Sequence, residues 1–394
     1  MKKLISILLA LCMFAACMVG CSSAPAAEDN RLKVGLICLH DSNSTYDKNF
    51  IDAFNAACEK LNVQGIIKTN VAESSDAYDA AVELADAGCS IVFADSFGHE
   101  DYMIQAALEF PGVEFAHATG TKAHTEGIAN YHNAFASIYE GRYLDGVAAG
   151  MKLKEMNLAG DVMAGENVVG YVAAHPYAEC ISGFTAFYLG VKSVAPTATM
   201  KVIYTGSWYD ETLEMEAANN LINNGCVLIS GHADSMGIPN ACEAAGVPFV
   251  FYNGEISQAC PNTYIISTRI NWQPYFEYLI NCKLSDTPID TDWVGTLANG
   301  AVTMTDINNG VAAVGTQDAI DILTEDLINN NIFVFDTSTF TVDGETLTSY
   351  EADVDTDANY TPDTEVIEDG IFYESRFRSA PYFDIIIDGI TVLE

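Results

Sequence analysis

Positive charge is scarce in this chain: 17 Lys and Arg stand against 54 Asp and Glu, for a formal net charge of −37. A surface that acidic repels nucleic acid and anionic lipid head groups, so neither is an expected partner. The compact signatures of common chemistry are missing as well. There is no C-x-x-C pair, which excludes zinc ribbons and thioredoxin-like centres, and no H-E-x-x-H, P-loop or Gly-x-Gly-x-x-Gly. Ser235 sits in Ala233-Asp234-Ser235-Met236-Gly237, superficially a nucleophile elbow. The last histidine is His232, however, and the α/β-hydrolase order needs one after the serine. Asp353-Val354-Asp355-Thr356-Asp357 opens like an EF-hand loop, but Ala358 and Thr364 replace the turn glycine and the bidentate glutamate. His117, His124 and His132 are too loosely spaced for a helical metal pair. No enzyme activity, metal or cofactor is expected.

Long hydrophobic runs are equally scarce, and the one present is at the start. Met1-Lys2-Lys3 is positive, residues 4–18 are almost wholly apolar, and Met18-Val19-Gly20 leads into Cys21 and a small, polar stretch. This pattern predicts a secretory signal over residues 1–20 rather than a span, since no stop-transfer charges follow. A cysteine directly after that small residue resembles the lipobox of bacterial lipoproteins, which implies that Cys21 is acylated and residues 21–31 form a tether. The expected location is the outer face of the cell membrane, with membrane contact through the lipid alone. Eleven cysteines occur in all. The eight beyond Cys21 stand singly in apolar patterns and are expected to be buried, reduced thiols.

What is abundant is apolar residues, 49% of the chain, in a strand-and-helix rhythm. Residues 32–39 form an apolar run broken only by Lys33 and Gly35, as in a parallel strand buried on both faces. Phe50, Ile51, Phe54, Ala57 and Leu61 then recur at helical spacing. The alternation continues past residue 280 and predicts an α/β fold of two doubly wound parallel-sheet lobes with a hinge and an interlobe cleft. The expected layout gives lobe 1 residues 32–130 and 255–292, and lobe 2 residues 140–252 and 300–340. Strands are expected at 301–304 and 332–335. Residues 341–394 are read as an acidic loop and a C-terminal β extension.

In open parallel sheets ligands bind beyond the carboxyl ends of strands. That rule selects five loops: 40–50, 95–99, 206–210, 231–237 and 253–255. They carry Asp41, Tyr46, Asp47, Phe50, Phe97, Trp208, Gly231, Asp234 and Asn253. Aromatics beside carboxylates and carboxamides suit a flat polar heterocycle, stacked on its faces and hydrogen-bonded at its edges.

Several stretches then resemble, in order, the basic membrane protein family of ABC-transporter substrate-binding lipoproteins. They are Asp41 with Tyr46-Asp47-Lys48-Asn49-Phe50, Glu140-Gly141-Arg142-Tyr143-Leu144-Asp145-Gly146, Gly206-Ser207-Trp208-Tyr209-Asp210, Gly231 to Gly237, Tyr252-Asn253 and Arg269. The resemblance covers residues 32–340 and implies a periplasmic binding protein type 1-like fold, a purine nucleoside ligand and an ABC permease as partner. It further implies that Phe50 and Trp208 sandwich the base, that Asp41 holds its edge, and that Asn253 and Arg269 meet the ribose. Asn253 and Thr119 stand where the family has acids, so an altered ribose pocket is expected. A monomer is expected. The alternatives are another small solute, such as a sugar, an amino acid or an autoinducer-like ligand, or a surface sensor without a transport role.

Overall fold

The computed structural model describes residues 29–393 apart from 164, 355, 356 and 358. The signal, Cys21 and most of the tether lie outside the described residues. Residues 32–394 make up one compact unit. It is built on two sheets, which form two lobes.

The first sheet has the order β11-β5-β4-β3-β1-β2, all parallel. Its strands are β1 (Lys33–Ile37), β2 (Gln64–Lys68), β3 (Ile91–Ala94), β4 (Glu114–Ala118), β5 (Tyr131–Ala136) and β11 (Asp292–Gly295). Helices cover both faces, which is why Val34, Leu36 and Ile37, and likewise Ile91, Val92 and Phe93, are all buried without alternation. The second sheet runs β12-β10-β9-β8-β6-β7-β17. It comprises β6 (Val168–Ala173), β7 (Thr199–Tyr204), β8 (Leu228–His232), β9 (Phe249–Tyr252), β10 (Tyr264–Ile270), β12 (Val302–Met304) and β17 (Ile390–Val392). Only β12 is antiparallel to its neighbour.

Three connections join the lobes. β5 leads at Ser137 into the helix Ile138–Ala159, which packs in the second lobe. β10 leads through Asn271 to the helix Gln273–Ser285, which packs on the helix Thr45–Lys60 of the first lobe through Phe54 and Phe276, 5.3 Å between ring centroids. The third connection joins β11 to β12. The two-lobe α/β architecture is as the sequence pattern predicts, but the boundaries shift. β10, expected in lobe 1, belongs to the second sheet, so the second crossing follows Ile270 rather than Asn253. β5 falls in the gap, residues 131–139, between the expected lobe bounds. Its Tyr131-His132-Asn133 interrupts the apolar run, yet the residues are buried because β5 lies between β4 and β11.

The second lobe is stitched by the Glu140–Gly146 segment. Two glycines let its helices touch backbone to backbone: a Cβ on Gly146 would lie 1.9 Å from the Phe187 carbonyl oxygen, and one on Gly190 would lie 2.1 Å from that of Tyr143. The buried Arg142 guanidinium donates to Asp145 (2.6 Å), the Phe251 carbonyl (2.9 Å), Ser230 (2.7 Å) and the Tyr171 hydroxyl (3.2 Å). A charge with no access to water is tolerable only with such partners.

The C-terminal stretch is no appendage. β17 pairs in parallel with β7, and Phe372, Tyr382 and Phe383 join the hydrophobic core of the second lobe. Residues 332–335 form turns instead of the expected strand, and Phe335 is anchored by a stacked contact with Phe383 at 4.4 Å. The alternating residues 383–387 likewise form no strand. All eight cysteines from Cys38 onward are free and buried. No helix among the described residues is long and apolar enough to cross a membrane.

Candidate functional site

The carboxyl ends of both sheets face one narrow cavity. The first lobe contributes Leu39, His40, Tyr46, Asp47, Ser96, Phe97 and Thr119; the second contributes Glu179, Trp208, His232, Asp234 and Tyr252. Each arrives from the end of a strand or the first turn of the helix that follows it, where backbone leaves the sheet and side chains converge.

Local chemistry fixes the first-lobe wall. Ser44 caps the helix Thr45–Lys60: its hydroxyl accepts from the Asp47 amide (3.2 Å) and donates to the Asp47 carboxylate (2.6 Å). That carboxylate also accepts from the His40 amide at 2.8 Å. Burial pushes the Asp47 carboxyl up, but the hydrogen bonds from His40 and Ser44 outweigh it and hold the group below its usual range. Beneath it, Asp95 is driven well up by burial and then by the neighbouring Asp47 charge. Asp95, Asp47 and Cys38 offer ligand atoms all within 4.8 Å of one another. Asp95 Oδ1 accepts from the Leu39 amide at 3.0 Å, and a proton held on Asp95 relieves its repulsion with Asp47. The loop after β3 is held by Glu73, which accepts from Ser96 and from the Gly98 amide, 2.7 Å each, and so presents Phe97, 42% exposed. Thr119 has φ +63°, a strained state for a β-branched residue that costs about 1–3 kcal/mol and clusters at functional sites.

On the second lobe, Asp210 caps the helix Glu211–Asn223 by accepting from the Thr212 and Leu213 amides, 3.0 Å each. Glu214 then accepts from the amides of Asp210 (3.2 Å) and Ser235 (3.3 Å), tying the Trp208 loop to the Asp234 loop. Trp208 is steadied edge-on by His175 at 4.9 Å. His232 stacks on Tyr252 at 4.2 Å, with its Nε2 3.5 Å from Glu179. Burial, followed by the charges of Asp47, Glu214 and Glu179, raises the Asp234 carboxyl far above its normal range. The Tyr252 hydroxyl and both ring nitrogens of His232 are buried without a hydrogen-bond partner. These atoms are available to bond a polar molecule in the cavity.

The lobes already touch across the cavity. The Thr45 amide donates to the Asp234 carbonyl (3.3 Å), and Asn49 donates to the Asn253 carbonyl (2.8 Å) and side chain (3.0 Å). Phe97 meets Tyr177 at 5.6 Å and His40 meets Tyr209 at 5.4 Å.

Of the residues singled out in the sequence, Tyr46, Asp47, Phe97, Thr119, Trp208 and Asp234 line the cavity. The others do not. Phe50 is one helical turn below Tyr46 and fully buried, stacked on Trp272 at 4.4 Å, so its ring belongs to the core. Asp41 closes its own turn by accepting from the Asn43 amide (2.9 Å) and side chain (2.8 Å). Gly231 lies inside β8, where a Cβ would meet Ile238 at 2.4 Å. Asn253, with φ +63°, bridges the Ile270 amide (3.1 Å) and Asn49, and is a structural tie. Arg269 is on the exposed side of β10, near Thr303 at 3.4 Å. Among the wall residues, His40 and His232 fall inside the loops that the sequence selects without being picked out, Tyr252 directly precedes one, and Glu179 lies outside them all. Tyr252 and His232 end strands, a signal that was available; Glu179 follows Tyr177 at a helix start and carried none.

Comparison with known proteins agrees with this geometry. Residues 37–334 match the family model described as Bmp, ABC transporter substrate-binding protein PnrA-like. A purine-binding protein of Brucella abortus (strain 2308) is 31% identical over 259 residues, covering 64% of this chain and 68% of that protein. A Haloferax volcanii protein whose name describes an ABC transporter glucose-binding protein, TsgA13, is 34% identical over 208 residues; the match spans 53% of this chain but only 49% of that protein's length. An ABC transporter system solute-binding protein from Conexibacter woesei DSM 14684 shares the fold at TM-score 0.61 and 22% identity, over 76% of this chain and 97% of its own. The family and these neighbours are solute-binding proteins rather than enzymes. With the match running through both lobes and every wall of the cavity, the chain belongs to the PnrA-like (Bmp) family of ABC transporter substrate-binding proteins.

Proposed function

We propose that this chain is the lipid-anchored, extracytoplasmic receptor of an ABC importer and that its cavity takes a purine base or nucleoside. The observation that carries the reading is the cavity wall. Aromatic rings from both lobes (Tyr46 and Phe97, Trp208 and Tyr252) surround a space ringed by carboxyls and by unpartnered buried donors and acceptors. A flat heterocycle stacks on such rings and satisfies such atoms at its edges. The name of the Brucella abortus relative, a purine-binding protein, points the same way. Ligand that bridges both lobes favours the closed form through its differential affinity.

A thermal-shift screen of purine bases, nucleosides, sugars and amino acids tests the ligand. Purines are expected to stabilise the chain by about 2.7 kcal/mol at a hundredfold excess over Kd. A response to sugars or amino acids with none to purines refutes the reading. Anchoring at Cys21 positions the receptor beside its permease. A Cys21→Ser chain should leave the membrane fraction, keep its ligand affinity and support uptake poorly; undiminished uptake refutes the anchored role.

A further inference from the structure

The charge of the cavity is one-sided. Asp47, Glu179 and Asp234 all line it, Asp95 lies directly beneath Asp47, and no Lys or Arg lines it among the described residues. Asp234 is 6% exposed and Asp47 1%, so water screens neither well. The basic residue that would balance them, Arg269, is turned away on the outer side of β10. The remaining polar wall is His40, His232, Ser96, Thr119 and the hydroxyls of Tyr46 and Tyr252. The Tyr46 hydroxyl is already committed to the Asp95 carbonyl at 2.8 Å. Carboxyls clustered in low dielectric repel one another, and a cation among them relieves that repulsion. Ring faces attract cations as well, most strongly when the charge is desolvated.

Building on the purine reading above, we infer that this cavity selects a positively charged heterocycle, a purine nucleoside or base carrying a formal positive charge, over its neutral parent, and rejects anionic forms. Three carboxyls and four aromatic rings around one small space make a cage for a flat cation. A phosphate would be set against all three acids with no Lys or Arg on the wall to meet it, and the two histidines there face Asp47 and Glu179.

The test is isothermal titration of the purified chain at neutral pH with two matched sets. One is adenosine, 1-methyladenosine and adenosine monophosphate; the other is guanosine and 7-methylguanosine. Two sets are used so that a steric clash of one methyl group does not decide the result. In at least one set the methylated cation should bind about tenfold tighter than its neutral parent, and the monophosphate should bind more weakly than adenosine. That preference should shrink to within about threefold in Glu179→Gln or Asp234→Asn, whose folding is checked by near-ultraviolet circular dichroism. Neutral parents binding as tightly as the cations in both sets, or a preference untouched in both variants, overturns the inference and leaves the purine reading standing. A non-purine cation, 1-methylnicotinamide, separates the two ideas. If it binds while no purine does, the purine reading fails and the charge selection survives. If neither it nor any purine binds, both fail.

Discussion

Phe50 and Tyr46 lie one helical turn apart, and the structure assigns them opposite jobs that a pair of leucine substitutions can separate. Phe50 is fully buried, stacked on Trp272 at 4.4 Å and 5.7 Å from Phe93. Phe50→Leu keeps most of the buried apolar area and loses the ring contacts, which contribute about 0.5–1.5 kcal/mol beyond area. With a small packing defect added, the stability loss is about 1–2 kcal/mol. At about 2–4 °C per kcal/mol for a unit the size of one lobe, Tm should fall by about 2–8 °C. Ligand affinity, measured well below that melting range, should stay within about threefold, because the ring is outside the cavity. Tyr46→Leu is the mirror experiment. It removes a cavity ring and one hydrogen bond to the Asp95 carbonyl. Base–aromatic stacking contributes about 1–3 kcal/mol, so affinity should drop about 5- to 150-fold. Calorimetric titration and thermal melts on both variants decide the matter. If Phe50→Leu loses tenfold or more in affinity with Tm unchanged, the ring contacts ligand and the placement of the site is wrong.

Trp208→Ala should weaken binding by one to two powers of ten for the same stacking reason, read by the same titration. Asn49→Ala removes both side-chain bonds to Asn253 and should lower affinity several-fold by loosening closure, with a larger ligand-free radius in solution scattering. Glu374 gives a pH prediction. Burial raises its carboxyl to about 8 from an ordinary 4.5, so the folded chain keeps a proton that the unfolded chain has already released. Its cost is absent below pH 4.5 and grows as pH rises towards 8; Glu374→Gln should therefore flatten the fall in stability across that window, seen in denaturant midpoints at pH 5 and pH 8.

How far the sequence reveals the molecule depends on how local each signal is. Parallel strands buried on both faces announce themselves as apolar runs, so β1, β3, β8 and β9 were legible. β5 was not, because His132 and Asn133 are buried through pairing on both edges, a tertiary fact that no local pattern records. The lobe boundaries failed for a related reason. The chain re-enters the first lobe only after β10, and whether a strand pairs left or right of a crossing is not written in its own residues. At the site, the strand-end loops contain Tyr46, Asp47, Phe97, Trp208 and Asp234, which the structure brings to the cavity wall. Choosing between Tyr46 and Phe50 required knowing which turn of one helix clears the sheet. Arg269 and Asn253 resembled ligand contacts by position in the chain, yet strand alternation and a left-handed turn send them elsewhere.

The contact at Gly146 and Gly190 has a mechanical consequence. Helices that meet backbone to backbone have no side chains between them to slide or re-pack, so the helices Ile138–Ala159 and Ala178–Val194 behave as a single beam. That beam begins one residue past the first connection, and its second member carries Glu179 into the cavity. A displacement of Glu179 would therefore be passed towards Ser137 through that contact. A methyl group at either glycine would act as a wedge between the two helices, well away from the cavity wall.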